Sequence, residues 1–330
     1  MSDFLNNKMV VGGLAACAVG VLGIGLFYTL RQKSRKYMPV GVVSCIYVHP
    51  IKSCRGLEVS EAECAALGIR TDGVTDRSFL IVSESGTFIT QRQHPSIALI
   101  YPSVSEDKKA LVINAPGMPT IRVSLVNKLG SIVDVRVWKL DLKGEDCGDE
   151  VGQWLDQYLG TTGYRLLRHQ DKLGGKLIQN DPKWGIKAKR NEKAVYQDCA
   201  QINILGMASL TDLNSRLEKP VDMRNFRPNI VVEGTSAFTE DEWKYVRIGK
   251  GVQLRTTHMC ARCRQTTVNQ DTGKFMENGD PLTTLKEFRM PSSEDPDKHR
   301  YGPSPLFGTN LAVELPGRIK LGDVVYASMD

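Results

Sequence analysis

Several signatures that would assign a function at once are missing from this sequence of 330 residues. It contains neither GxGxxG nor GxxxxGK[ST], so neither a dinucleotide fold nor a P-loop is indicated. Its single CxxC motif has no second Cys or His pair at zinc-finger spacing, which argues against a structural zinc site. No paired carboxylates or Ser-His-Asp set suggest a hydrolase. A hydrophobic content of 41% nevertheless excludes a largely disordered chain.

Positive charge is concentrated at the N-terminus. Five Lys and Arg residues against one Asp in residues 1–40 provide +4 of the formal net charge of +6, which leaves +2 for the rest of the chain. Nucleic-acid binding needs a broad basic footprint, and a nearly neutral body lacks one. We therefore expect no nucleic-acid partner.

Residues 9–30 form an uncharged, mostly apolar run of 22 residues. As a helix they would extend about 33 Å, enough to cross a hydrocarbon core of roughly 30 Å. A cleaved secretory signal is the alternative, but such signals have a shorter apolar part and carry their positive charge ahead of it. Here the basic segment 31–36 follows the run, so the positive-inside rule predicts a retained anchor with the C-terminal body in the cytosol.

Of the eight cysteines, Cys17 lies in the apolar run 9–30. The other seven are an odd number scattered along the chain, so reduced thiols are expected rather than a disulfide framework. Only Cys260 and Cys263 lie close together. A thioredoxin-like redox pair would need a βαβ context, which the surrounding sequence lacks. A single exposed thiolate that binds a metal, with Arg262 lowering its pKa, and two buried structural thiols both stay open.

Short segments of alternating hydrophobicity dominate the chain and predict an α+β, strand-dominated fold with partly closed barrels. Helices are predicted over 147–160 and 203–219, the latter with Ser209 and Asp212 as an N-terminal capping box. The predicted strands are 40–53, 77–92 with a turn at Ser85-Gly86, 111–115, 120–125, 133–142, 226–234, 243–249, 252–263 and a hairpin-like pair in 317–328.

Four segments follow from this pattern: an anchor with its basic flank (1–40), a β-rich region (41–168), a basic linker (169–194) and a barrel-like domain (195–330). The linker is rich in Gly, Asn and Lys and is expected to be mobile. A solvated surface explains its cations most simply, and a docking patch for an acidic partner is the alternative.

Cations also occur at predicted strand–loop junctions, at Lys52-Ser53, Arg77 and Arg227. Each alone is best explained as an exposed or ion-paired side chain. Together they suit a phosphate or another anionic ligand, because Arg and Lys donate charge-assisted hydrogen bonds.

These residues belong to a set of ordered motifs: IYVHPIKSCRG (46–56), DRSFLIV (76–82), SRLEKPVDMRNFRPNIVVEG (215–234), CARCRQTTVNQDTG (260–273) and SPLFGTNL (304–311). In this order they resemble the MOSC family over essentially all of residues 40–330. With the N-terminal anchor, the resemblance is to the amidoxime-reducing members of that family. It implies an N-terminal transmembrane helix, a β-rich MOSC N-terminal region and a β-barrel-like MOSC domain.

The resemblance also implies a function. Such proteins are molybdenum enzymes of the outer mitochondrial membrane (the peroxisomal membrane is an alternative), with the body in the cytosol. They carry Mo-molybdopterin, the molybdenum cofactor, and reduce amidoximes, N-hydroxylamines and N-hydroxyguanidines. Their electrons come from NADH through NADH-cytochrome b5 reductase and cytochrome b5. The alternatives are a non-catalytic, membrane-tethered protein that binds the molybdenum cofactor and a metal-free CxxC redox module.

By position in the motifs, the resemblance assigns the catalytic and metal-ligating role to Cys263 and gives Cys260 no such role. Asn310 stands where some relatives carry Tyr, and Cys199-Ala200 where relatives often carry hydroxyl residues, so any contact at Ala200 is through its backbone. The cofactor-binding residues implied are Lys52, Ser53, Arg77, Cys199, Ala200, Arg227, Ala261, Arg262, Cys263 and Asn310.

Overall fold

The computed structural model describes residues 35–138 and 140–330 of the chain. The anchor predicted at residues 9–30 lies outside the described residues. Within the two described ranges, no helix is both long enough and apolar enough to cross a membrane. Residues 39–329 fold as one unit.

Short strands make up most of this unit, with a few short helices between them. The α-helices are α1 (Asp149–Leu159), α2 (Met207–Ser215), α3 (Leu282–Phe288) and α4 (Lys298–Tyr301). The strands are β1 (Met38–Val48), β2 (Leu57–Glu58), β3 (Glu61–Ala65), β4 (Gly68–Thr71), β5 (Val74–Thr75), β6 (Phe79–Val82), β7 (Tyr101–Val104), β8 (Ala110–Asn114), β9 (Ile121–Ser124), β10 (Ile132–Val137), β11 (Leu140–Asp146), β12 (Arg165–Arg168), β13 (Lys176–Leu177), β14 (Lys193–Ala194), β15 (Ile202–Gly206), β16 (Ile230–Glu233), β17 (Tyr245–Ile248), β18 (Val252–Ala261), β19 (Val268–Asn269), β20 (Lys274–Phe275), β21 (Leu306–Leu315), β22 (Gly317–Lys320) and β23 (Val324–Ser328).

Seven strands close into a barrel in the order β16-β15-β21-β18-β17-β23-β1, and β1 returns to pair with β16. Closure leaves no unpaired edge between these strands. In β1, a bulge between Val43 and Cys45 shifts the inward-facing positions, so that Val43, Ile46 and Val48 all lie in the core. The barrel therefore confirms the strand-dominated fold class, and it uses a strand from each end of the chain.

A second, four-stranded sheet has the order β10-β11-β12-β6. The predicted helix 147–160 is confirmed as α1, which ends at Gly160 in the left-handed conformation with φ 72°. Its apolar face, with Val151, Trp154 and Leu155, packs into one core with Phe79 and Ile81 of β6. Strand β6 thereby fixes the segment that precedes it, which carries Arg77.

Three details of the predicted secondary structure are wrong. Residues 133–142 form two antiparallel strands, β10 and β11, because the chain reverses at Trp138, which has a positive φ of 57°. The predicted pair in 317–328 is two strands of different sheets, since β22 pairs with β3 and β23 pairs with β17. The helix predicted over 203–219 is shorter: residues 203–206 belong to strand β15, and α2 begins after Gly206. Ser209 does not cap it, and its hydroxyl donates to Glu240 Oε1 at 2.7 Å.

The basic segment 169–194 has no long helix or strand, as predicted, but it is not a loose linker. It contains short 3-10 turns and the small β13–β14 pair. Its side chains Lys176, Ile178 and Trp184 are buried against the rest of the unit. Packing of this kind ties the backbone that carries its exposed cations to the rest of the unit.

Candidate functional site

Three strand ends converge at one end of the barrel. Ile230 of β16 lies opposite Ile46 of antiparallel β1 and opposite Ile204 of parallel β15. The segment after β1 and the segments before β15 and β16 therefore meet at the same barrel end. They carry five of the predicted cofactor-binding residues: Lys52, Ser53, Cys199, Ala200 and Arg227.

The backbone at this end is strained at three of the predicted residues. Ser53, Arg77 and Arg227 have φ values of 69°, 51° and 54°. A residue with a side chain rarely adopts such values, because each costs on the order of 1–3 kcal/mol and persists only where surrounding contacts impose it. Arg227 also precedes Pro228, which normally favours an extended conformation. Strain of this kind collects at functional sites, so it supports the sequence-based choice of these residues.

Charged side chains cluster at this barrel end, in what we call the cationic pocket: Lys52, Arg77, Lys176 and Arg227, with Asp76 and Asp198. Two ion pairs lie in it. Lys52 is buried, and its Nζ donates to Tyr196 O at 2.8 Å and to Asp198 Oδ1 at 2.5 Å. Arg77 Nη1 donates to Asp76 Oδ2 at 2.5 Å. Burial lowers the pKa of Lys52 even though Asp198 stabilises its charge. The Lys52 ammonium is thus less well solvated than an ammonium in water.

For two further cations, no carboxylate within the described ranges is hydrogen-bonded to the side chain. Arg227 Nη1 donates to the Cys54 carbonyl, and Lys176 Nζ donates to the Asp198 carbonyl at 2.7 Å. Burial, followed by repulsion from Arg77, lowers the pKa of Arg227 to about 9. Burial also lowers the pKa of Lys176 to about 8. The pocket therefore holds more cations than carboxylates, and an anionic ligand would relieve their repulsion.

The CxxC motif begins in the last two residues of the barrel strand β18 and presents one accessible thiol. Cys263 precedes a 3-10 turn at Arg264–Thr267. Among the seven cysteines in the described part of the chain, only Cys263 is exposed. Burial raises the pKa of the Cys260 thiol, and this outweighs the opposite effect of Arg262. The two cysteines are therefore chemically unequal.

Arg262 connects this motif to the cationic pocket. Its Nε donates to Phe307 O at 2.7 Å, its Nη1 to Phe226 O at 2.6 Å and its Nη2 to Asn203 Oδ1 at 3.2 Å. The guanidinium thus joins β18 to β15, to β21 and to the turn that carries Arg227. These bonds brace the site, and the predicted contact between Arg262 and the cofactor stays a prediction.

Cys199 and Asn310 meet at a buried histidine. Cys199 Sγ and Asn310 Nδ2 lie 3.1 Å and 3.0 Å from His258 Nε2, and the His258 ring stacks on Trp184 with a centroid distance of 3.9 Å. Burial lowers the pKa of His258 to about 3 and raises the pKa of Cys199. Both groups are neutral at neutral pH, which indicates packing rather than acid–base chemistry.

No set of three or more His, Cys, Asp or Glu side chains within 35–138 and 140–330 is arranged to hold a metal ion. A metal that brings its own organic ligand needs fewer protein donors. Cys263 is the exposed thiol next to Arg262, whose Nη1 donates to the carbonyl of Phe226 beside Arg227, and it could supply one soft donor to such a centre.

Sequence analysis missed four residues of this site: His49, Asp76, Asp198 and Trp138. Asp198 Oδ1 accepts from Trp138 Nε1 at 2.9 Å as well as from Lys52. Asp76 and His49 adjoin or nearly adjoin predicted site residues, so their positions offered a signal. Trp138 gave none, because it stood inside an apparently continuous strand.

Comparison with known proteins matches residues 40–162 to the MOSC N-terminal beta barrel domain and residues 191–326 to the MOSC domain. Mitochondrial amidoxime reducing component 2 of Rattus norvegicus is 39% identical over 96% of this chain and 93% of its own length. The Homo sapiens component 2 is 38% identical over 95% of this chain and 91% of its own. Mitochondrial amidoxime-reducing component 1 of Homo sapiens is 37% identical over 95% of this chain and 90% of its own length.

Proposed function

The chain belongs to the MOSC family and is a homologue of the mitochondrial amidoxime reducing components, and on this premise we propose that it is a molybdenum-cofactor-dependent reductase of N-hydroxylated compounds. One observation carries the proposal: a pocket with surplus positive charge lies beside a motif with a single exposed thiol. The substrates would be amidoximes, N-hydroxylamines and N-hydroxyguanidines.

The residues present fit Mo-molybdopterin. Its phosphate and polar pterin ring match the cations of the pocket, and the Cys263 thiolate is a soft donor of the kind that suits a metal–dithiolene centre. The buried Arg262 and Asn310 and the half-buried Cys199 and Ala200 would shape the wall of the site. In this proposal the cofactor is held by Lys52, Ser53, Arg77, Cys199, Ala200, Arg227, Ala261, Arg262 and Asn310, with Cys263 as the metal ligand.

The bound cofactor would supply the two-electron redox chemistry, and the protein would position it and control access to it. For the substrate, two electrons and two protons are consumed, the N–O bond breaks and the oxygen leaves as water. His258 and Cys199 do not supply those protons at neutral pH, because burial lowers the pKa of the imidazole to about 3 and raises that of the thiol. Solvent at the exposed face of Cys263 is the proton source that we propose.

We further propose that electrons arrive from NADH through NADH-cytochrome b5 reductase and cytochrome b5, at the outer mitochondrial membrane. The names of the relatives support a mitochondrial location. Residues 9–30 would anchor the chain, and the division into 41–168 and 195–330 is kept as a proposed domain organisation.

The test of the proposed activity is reconstitution of the purified protein with cytochrome b5 and its reductase. Benzamidoxime-dependent oxidation of NADH that requires all three proteins is expected. A protein that contains molybdenum and pterin but gives no turnover with any N-hydroxylated substrate would instead be a non-catalytic cofactor-binding protein.

The exposed cations of segment 169–194 are the proposed docking surface for acidic cytochrome b5. The structure narrows the choice of residues, since Lys176 is buried whereas Lys172, Lys183 and Lys193 are exposed. Replacing these three with Gln is expected to raise the KM for cytochrome b5 by roughly threefold to tenfold at low ionic strength, because steering by exposed charges is lost. Steady-state kinetics with cytochrome b5 as the varied substrate measure this.

A control with the same charge change separates docking from a general loss of positive charge. Lys219, Lys244 and Lys250 are also exposed, and replacing them with Gln is expected to leave the KM unchanged. Both triple variants should reduce substrate normally when an artificial dye donates the electrons. An unaltered KM in the first variant at low ionic strength would make segment 169–194 an ordinary solvated surface.

A further inference from the structure

His49 stands between the two strained arginines of the cationic pocket. Its backbone N–H donates to Asp76 Oδ1 at 2.9 Å, and its carbonyl accepts from Arg77 N–H at 2.6 Å. Its ring nitrogen Nε2 lies 3.1 Å from the carbonyl of Pro228, which follows Arg227. One residue thus contacts the turns that carry both arginines.

The protonation of the His49 ring follows from these contacts. A carbonyl only accepts, so Nε2 must carry the hydrogen that it shares with Pro228 O. Burial and the positive charges of Arg227 and Arg77 lower the pKa of His49 far below its ordinary value, so the ring is neutral. In a neutral imidazole with hydrogen on Nε2, Nδ1 is an acceptor.

That acceptor and one donor of Arg227 are both buried without a hydrogen-bond partner among the described residues. They are His49 Nδ1 and Arg227 Nη2. His49, Gly56, Arg227 and Gln270 help to line a cavity of about 10 Å³, the space for one water molecule. A glycine at position 56 lets the backbone pass close to the His49 ring, because a Cβ there would lie 2.5 Å from His49 Nδ1.

We propose that His49 is a positioning residue for Arg227: its Nε2–H fixes the Pro228 carbonyl, and its Nδ1 accepts from a water in this cavity that in turn accepts from Arg227 Nη2. Arg227 Nη1 is already bound to the Cys54 carbonyl. With the water in place, the guanidinium is held at both terminal nitrogens and its remaining N–H edge is presented in a fixed orientation.

The proposal rests on the proposed function, since the ligand that Arg227 is oriented to bind is the anionic cofactor. An ordinary packing role for His49 is the competing explanation, and three substitutions separate the two. His49→Gln keeps an amide near Nε2, His49→Asn keeps an acceptor near Nδ1, and His49→Phe keeps the ring but neither nitrogen. If packing alone matters, Phe is the mildest change. If the two hydrogen bonds matter, Phe is the most severe.

The experiment measures pterin and molybdenum per polypeptide and the rate of pterin release on dialysis. We expect pterin release from His49→Phe to be roughly tenfold to hundredfold faster than from wild type, with His49→Gln and His49→Asn in between, because hydrogen bonds that orient a charged group are lost. Gly56→Ala, whose Cβ would lie 2.5 Å from His49 Nδ1, excludes the water and forces the His49 ring to shift, and it is expected to resemble His49→Gln. A high-resolution crystal structure should show the water between Nδ1 and Nη2.

The matched control is His94→Phe, which removes a ring that contacts Tyr164 OH at 2.9 Å outside the pocket. Its pterin release should equal that of wild type. Release from His49→Phe that is no faster than from His49→Asn or His49→Gln would overturn the proposal. If His49→Phe does not fold, wild-type retention in both Gly56→Ala and His49→Gln would overturn it equally. A wild-type protein that never contains pterin would instead contradict the proposed function.

Discussion

Replacing Cys263 with alanine is expected to abolish reduction of N-hydroxylated substrates, whereas replacing Cys260 with alanine should preserve most of it. Cys263 is the exposed thiol of the motif, and burial raises the pKa of Cys260. Loss of a metal-binding thiolate should cost at least about a hundredfold in turnover, since even outer contacts of a metal site are worth ten- to hundredfold. Removing a thiol that binds no metal leaves the centre intact.

The two single variants should be measured beside wild type for metal content, pterin content and benzamidoxime turnover. Cys263→Ala is expected to retain pterin in part, because in the proposed site Lys52, Arg77 and Arg227 would hold the cofactor through other atoms. A CxxC disulfide mechanism predicts an equal loss of activity from either substitution. Inactive Cys260→Ala with molybdenum still bound, or fully active Cys263→Ala, would defeat the assignment of the metal ligand.

Replacing Lys52 with methionine is expected to remove the cofactor almost completely, with an affinity loss of roughly a hundredfold or more. Lys52 is the cation that neutralises Asp198, at 2.5 Å. Replacing it therefore weakens cofactor binding in two ways. The pocket loses a donor to the anion, and the Asp198 carboxylate loses the lysine that neutralises it. Pterin and molybdenum per polypeptide, with the melting temperature of the cofactor-free protein, report the effect.

Two further variants show whether charge is the cause. Lys52→Met combined with Asp198→Asn removes the unpaired carboxylate and should recover part of the cofactor. Lys143→Met removes an exposed lysine that pairs with Asp134 at 2.8 Å, and it should bind cofactor as wild type does. Normal cofactor content in Lys52→Met would show that this lysine does not hold the cofactor.

Local pattern predicted those elements whose partners are close in sequence. The apolar stripe of α1 and the glycine that ends it are visible in residues 147–160, because helix periodicity is a local property. Closure of the barrel was not predictable in detail, since β1 pairs with a strand almost two hundred residues away and its inward face changes at a bulge. Such pairing depends on the whole fold rather than on alternation. The turn at Trp138 was not predicted either, because no sequence pattern marks a tryptophan that adopts the left-handed backbone conformation.

The candidate site also combines features that local sequence patterns predict with contacts that depend on the whole fold. Motif order pointed to Lys52, Arg77, Arg227 and Cys263, and the three cations meet where strand ends converge. The residues that sequence reasoning missed act by holding the others. Asp198 accepts a hydrogen bond from Lys52, and Asp76 accepts one from Arg77. His49 contacts the turns that carry Arg77 and Arg227. Proximity to predicted residues in the sequence was a signal for Asp76 and His49, but it does not identify the contacts, because many polar residues could make them and only the folded backbone decides which are near.

The measurement that tests the central claim most directly is the stoichiometry of molybdenum and pterin in the purified chain, compared with the Lys52→Met variant. Wild type is expected to contain both in equal amounts, approaching one of each per polypeptide, and Lys52→Met should contain neither. A folded wild-type protein free of pterin, or one whose pterin content does not depend on the cationic pocket, would contradict the account.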